Sequence, residues 1–323
     1  MPTDAVTGAT SYTGRFIAEL LRERGRTVLN LTRRAGAPEV GRSGPPAAHR
    51  DGPLLRDVPF PSSLAALTRS LGGVDTLYNT HWIRFERGAA TYDRAIATSR
   101  TLLEAARAAG VRRFVHISVI HAAHDAPTGY FRAKAELEDL VRTLAPNYAI
   151  VRPTVSFGPG DILVNNLAWT LRRVPIFGIP GDGRYPIQPV HVGDIARIAV
   201  EAGDAPENLT VDAAGPEALT FDEFVNVVRD AVGSRSRVVH VPVPVALLAA
   251  RAIGVLVRDV VLRHDEVTEL RAGLMASDDP PLGRIVFSDW VREQADELGR
   301  RWASELDRHY RDTSAPAGRG IPG

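Results

Sequence analysis

Along the first half of the chain, short apolar runs alternate with stretches whose apolar residues recur every three to four positions. Residues 5–7 read as the end of a strand, Phe16, Ile17, Leu20 and Leu21 put a helical stripe on 14–24, and 27–32 reads as a second strand. The series continues with strands over 54–58, 75–79, 113–118 and 148–152, separated by helices over 62–71, 91–109 and one starting near Tyr130. Alternation of this kind predicts an α/β architecture, a doubly wound parallel sheet with helices on both faces. The first strand is the weakest, because Asp4 stands where a buried strand is normally apolar and Pro2 removes a donor. The Gly-, Pro-, Ala- and Ser-rich stretch 34–52 reads as a long surface connection.

Beyond Arg152 the spacing loosens. Loops are expected at 157–161 and 178–185, and helices near 163–173, 194–202 and 221–232. The apolar stretch 241–257 is interrupted by Pro242, Pro244 and Arg251 and falls short of a membrane span. Its helical part, 245–257, is expected to pack in the core or between domains, with a membrane surface or a partner as the alternative. Val291, Leu298, Trp302, Leu306 and Tyr310 form one stripe and predict a final helix over 288–311, and the Gly- and Pro-rich end 314–323 reads as a disordered tail.

Composition narrows the function classes. The 323 residues carry 39 basic and 38 acidic side chains, so the net charge of +1 gives no general pull toward nucleic acid or an anionic membrane. The absence of cysteine excludes disulfides, thiolate nucleophiles and Cys-ligated metals, and fits a reducing cytoplasm. No basic stretch followed by an apolar run opens the chain, so a cytoplasmic protein is expected. His116, His121, His124 and Asp125 straddle a strand end and a loop, and no metal site is read from them. His191 and Asp194 are read as structural, with Asp194 as a helix N-cap. Arg172, Arg173 and Arg184 are read as solvated, the alternative being an anionic substrate pocket.

Three motifs carry chemistry. Gly8, Thr10, Ser11, Tyr12, Thr13 and Gly14 fall between the first strand and the first helix, where backbone N–H groups and the helix dipole receive a dinucleotide pyrophosphate. Ser11 takes the place of the middle glycine, which limits the approach of backbone to phosphate. At the end of the second strand Arg33 and Arg34 offer two guanidinium groups and no carboxylate, which favours NADP(H) and leaves NAD(H) as the alternative. The sharpest signal is Tyr130 followed four residues later by Lys134, since that spacing puts phenol and ammonium on one helix face. Lys134 is the only lysine among the 39 basic residues, and a compact ammonium differs in use from a guanidinium fork.

The glycine turn, Ser118 at a strand end and the Tyr130 and Lys134 pair resemble the short-chain dehydrogenase/reductase superfamily. Arg152-Pro153, the turn 157–161 and Gln188–Val192 followed by Asp194 are similar to its extended and atypical branch, the NAD-dependent epimerase/dehydratase group. Within that branch, Asn79–Trp82 with Arg84-Phe85, and Asn165-Asn166, are similar to the nucleotide-binding accessory subunit of respiratory complex I and its bacterial relatives.

The resemblance implies a Rossmann domain over 1–155, a smaller substrate lobe over 156–312 that partly completes the core, and a tail over 313–323. It implies Tyr130 as general acid/base, Lys134 holding the nicotinamide ribose and lowering the phenol's pKa, and Ser118 bonding the reacting oxygen. Thr80 and Pro153 join the cofactor's surroundings on the same ground. Two functions stay open: an NADP(H)-dependent oxidoreductase or epimerase-like enzyme on a small-molecule carbonyl or alcohol, and a non-catalytic NADPH-binding module. The link of 12 residues from Ser118 to Tyr130 counts against ordinary catalysis on a large substrate. Partners are expected to be a small molecule, a second copy in a homodimer, and a complex or a membrane surface without an integral span.

Overall fold

The computed structural model describes residues 2–33 and 55–310. Arg34, the expected connection 34–52 and the expected tail lie outside them. Seven parallel strands form the main sheet in the order β11-β6-β5-β4-β1-β2-β3. These are β1 (Thr3–Thr7), β2 (Thr27–Thr32), β3 (Leu55–Pro59), β4 (Thr76–Asn79), β5 (Arg113–Ile117), β6 (Tyr148–Pro153) and β11 (Leu209–Ala213). The order reverses between β1 and β4, and the crevice at the carboxyl ends of those two strands is the switch point where such sheets take ligands.

Strand periodicity decides what each face buries. Ala5, Leu29, Leu77, Phe114 and Ile150 point to one core, closed by α2 (Leu64–Ser70), α3 (Tyr92–Ala108) and α4 (Gly129–Leu144). Their neighbours Val6, Val28, Tyr78, Val115 and Ala149 point the other way, under α1 (Tyr12–Glu23) and α6 (Val192–Asp204). On α1 the fully buried Ile17 and Leu21 each remove a large aliphatic group from water, worth roughly 1.5–3 kcal/mol apiece.

Asp4 does not weaken β1. It is fully buried, but Arg26 pairs with it at 2.8 Å and the Thr76 N–H donates to it at 3.2 Å, so its charge has partners where an unpaired one would be expelled.

The second lobe has its own core of Phe157, Val164, Ile179, Phe224, Phe287 and Trp290. Around it lie β7 (Val155–Phe157), α5 (Leu163–Leu171), β8 (Ile176–Pro180), β9 (Pro186–Ile187), β10 (Pro189–His191), β12 (Leu219–Thr220), α7 (Phe221–Ala231), β13 (Arg237–Val241) and α8 (Val243–Val257). The chain ends with α9 (His264–Arg271), α10 (Phe287–Glu293) and α11 (Glu305–His309).

Two expectations are corrected here. The helix over 288–311 is two short helices, because Gly299 takes φ +72° against the backbone of Ala168 and Trp169, and Trp302 turns away to donate to Asp259 at 2.9 Å. Asp259 also accepts from the Glu305 and Leu306 N–H groups, starting α11 afresh. The N-cap of α6 is His191, whose Nδ1 accepts from Gly193 N, while Asp194 accepts from Arg284 N and Ile285 N. Arg172 and Arg173 are exposed, as solvated side chains are, and they also bond the backbone. They donate to the carbonyls of Leu298, Ala295, Gly299 and Arg300 and so pin residues 295–300 to α5.

Candidate active site

The glycine turn sits at the end of β1. Gly8 has φ +63°, and its N–H donates to Leu31 O at 2.8 Å. A Cβ on Gly14 would run into the Gly8 carbonyl, so only glycine allows helix and turn to close. Ser11 is exposed, and its Oγ lies 3.0 Å from where a Cβ would stand on either Gly8 or Gly14. No side chain caps α1, which leaves its first-turn N–H groups aimed into the crevice. Thr10 lies exposed on this turn, with Thr13 half-buried. The Tyr12 hydroxyl is buried without a partner, and burial pushes its pKa up. A dinucleotide's phosphates fit this donor set.

Buried polar side chains brace the turn. Ala9 N donates to Asn30 Oδ1 at 2.7 Å, and Asn30 passes a hydrogen bond to Asp57 at 2.7 Å. Thr80 N donates to Thr7 Oγ1 at 2.7 Å and Thr80 Oγ1 to Thr7 O at 2.5 Å, which locks the ends of β1 and β4 together. Arg15 bonds Pro159 O and Arg308 donates to Gly160 O at 2.7 Å, so the turn 157–161 faces the glycine turn. Asp161, buried there as the acceptor for Val164 N at 2.6 Å, has its pKa raised by burial to about 6.

Tyr130 and Lys134 share α4 one turn apart. The partly buried Tyr130 ring lies edge-on to two stacked rings, Trp82 at 6.1 Å and Tyr92 at 6.2 Å. Lys134 Nζ sits 4.4 Å over the Trp82 ring and donates to Ile117 O at 2.9 Å. Burial lowers the Lys134 pKa to about 7, against the pull of Glu138. The expected direction at Tyr130 is reversed: burial, then Glu269 and Tyr92, push its phenol above the ordinary value, and the opposing cation is Arg84 and not Lys134.

Ser118 ends β5 with its hydroxyl donating to the buried Glu138 at 2.6 Å, and Arg152 and Arg142 grip that carboxylate at 2.6 and 2.9 Å. Pro153 is buried at the end of β6, its carbonyl accepting from Ile120 N. Arg33 is exposed at the end of β2. Together with burial and Lys134 it depresses the pKa of His81 to about 4, so Arg33 and Lys134 bear on the same crevice.

Two acids escaped the sequence reading. Glu138 follows Lys134 by four residues as Lys134 follows Tyr130, a spacing that marks it in hindsight. Glu269 of α9 carries no such signal. It accepts the Thr128 hydroxyl at 2.6 Å at the start of α4, and its pKa is raised by burial to about 7. Its neighbour Glu266 and Glu305 hold Arg84 at 2.5 and 3.3 Å, bringing the second lobe against the crevice. The three histidines separate: His116 meets Asn79, His121 meets Ala276 O and His124 pairs with Asp139.

Sheet order and glycine turn together define a Rossmann-like nucleotide-binding fold. The sequence pattern of the NAD dependent epimerase/dehydratase family matches residues 5–213, and the chain belongs to that family. It is similar to the Dictyostelium discoideum mitochondrial NADH dehydrogenase [ubiquinone] 1 alpha subcomplex subunit 9, 26% identical over 74% of this chain and 66% of that protein. A Caulobacter vibrioides ceramide reductase is 26% identical over 77% of this chain and 76% of its own. Among solved structures, a triphenylmethane reductase of Citrobacter sp. superposes with a TM-score of 0.68 over 91% of this chain and 99% of its own, at 16% identity, which shows a shared fold. No helix among the described residues is long and apolar enough to cross a membrane.

Proposed function

We propose that the protein is an NADP(H)-dependent reductase of a small-molecule carbonyl, with Tyr130 as proton donor and Lys134 beside it. The observation that carries this reading is the placement of Tyr130 and Lys134 on one face of α4, both against Trp82, at the carboxyl edge of the sheet that also holds the glycine turn. A nicotinamide dinucleotide bound there supplies the hydride. Tyr130 supplies the proton to the carbonyl oxygen, and burial, which raises its pKa, keeps that proton on the phenol until it is transferred. Burial lowers the Lys134 pKa, and negative charge developing on the neighbouring phenol favours the charged ammonium against that penalty. Gly8, Ser11 and Gly14 form the phosphate turn, and Arg33 with Arg34 favours NADP(H).

The ceramide reductase relative supports a reductase. A second reading, a nucleotide-binding module in a larger assembly, draws on the Dictyostelium relative and on Ser118, whose hydroxyl proton already belongs to Glu138. NADPH oxidation assayed against aldehydes, ketones and quinones separates the two: turnover that vanishes in Tyr130→Phe establishes the reductase, and tight NADPH binding without turnover across the panel favours the module.

A further inference from the structure

Helix α8 is built inside out. Its buried positions, Ala246, Ala250 and Gly254, recur every four residues and are all small. Gly254 comes so close to the chain beneath that a Cβ would stand 2.7 Å from Asp259 O. The large residues face outward: Val245 is 50% exposed, Leu248 69%, and Val255 and Leu256 77% each. On a helix, 245, 248, 255 and 256 fall on one stripe opposite the buried one. Strand β13 runs directly into α8 and α8 packs on β8, and these two strands add Val239 at 38% and Ile176 at 60% exposure. Exposed aliphatic surface of this extent marks an interaction site.

The chain as a whole is nearly neutral, so the local charge selects the occupant. No acidic residue occurs between Asp230 and Asp259, whereas Arg235, Arg237, Arg251 and Arg258 do, all exposed. A second copy seated on this face by two-fold symmetry would bring these guanidinium groups together, and Asp222, the carboxylate beside β13, is already held by His240 at 2.9 Å. An anionic bilayer answers all four, and it takes outward aliphatic side chains among its acyl chains while flanking guanidinium groups stay at the headgroups. We infer that α8, with the adjoining edge of β8 and β13, is an interfacial anchor that lays the second lobe on an anionic lipid surface.

The test is sedimentation of the full-length protein with vesicles of phosphatidylcholine alone and of phosphatidylcholine with phosphatidylglycerol. The expected result is binding to the anionic vesicles, several-fold weaker binding to the neutral ones, and a loss of about tenfold or more in Leu248→Glu/Val255→Glu. Both positions are solvent-exposed, and an unchanged thermal melting curve certifies the variant's fold. Arg251→Glu/Arg258→Glu is expected to lose most of the preference for phosphatidylglycerol. The inference is overturned if the wild type ignores anionic vesicles, if the double glutamate variant binds them equally, or if sedimentation velocity shows a dimer that this variant splits while vesicles bind neither form.

Discussion

The Ser118 hydroxyl and the Glu138 carboxylate, 2.6 Å apart across β5 and α4, form a buried bond whose acceptor is already held by Arg152 and Arg142. Ser118→Ala removes one donor of three and is expected to lower stability by about 1–2 kcal/mol, read by chemical denaturation. Glu138→Leu strands Arg152, so its expected loss is larger, about 3 kcal/mol or more. If Ser118 also serves the reaction, Ser118→Ala lowers kcat beyond what the stability change accounts for.

Tyr130→Phe keeps the ring edge-on to Trp82 and Tyr92 and deletes only the hydroxyl. Turnover is expected to fall roughly a hundredfold to ten-thousandfold, with NADPH affinity from fluorescence titration unchanged. An unchanged rate removes Tyr130 as proton donor.

Gly14→Ala drives a methyl into the Gly8 carbonyl, a backbone atom that cannot swing aside. A loss of about 1–3 kcal/mol in stability is expected, together with loss of dinucleotide binding by titration calorimetry. The binding loss is the part specific to the turn.

Glu269 sets a pH dependence. Its folded-state pKa of about 7 lies above the ordinary 4.5, so the folded chain holds a proton that the unfolded chain has released. Its contribution to stability is therefore complete below about pH 4.5 and is lost as pH rises to about 7, to a limit of about 3 kcal/mol. Glu269→Gln keeps an acceptor for Thr128 and is expected to gain melting temperature relative to the wild type between those pH values, with the difference vanishing in acid. A pH-independent difference overturns this.

Arg33→Ala is expected to raise the Kd for NADPH by about tenfold to a hundredfold and that for NADH far less, since one charge-assisted bond to a phosphate is at stake. Equal losses remove the account of cofactor choice.

The doubly wound sheet was legible because each of its elements is local. The alternation of Ala5 with Val6, or of Leu77 with Tyr78, needs only the period of a strand, and the pairing of Tyr130 with Lys134 needs only that of a helix. The final helix was misread for the opposite reason. The stripe from Val291 to Tyr310 is a good helical pattern, but Gly299 and Trp302 answer to α5 and Asp259, partners far off in sequence. Glu269 is of the same kind, since its place at the mouth of α4 follows from how the lobes pack and leaves no trace in the spacing around it. On α8 the apolar stretch predicts packing in the core or between domains, but only Ala246, Ala250 and Gly254 are buried, because which side is covered depends on residue size and on the neighbouring backbone.

The side chains of Asn165, Asn166, Arg172 and Arg173 bond the backbone of residues 295–303, which leads to the contacts of Glu305 with Arg84 and of Tyr310 with Phe85. A helix carries its own ladder and survives the loss of any one side chain. This stretch borrows its order from another helix, bond by bond, so the wall it raises beside the crevice can be rebuilt by a few surface changes while the sheet beneath stays as it is. Two descendants of this chain could then share every strand and still close around different molecules.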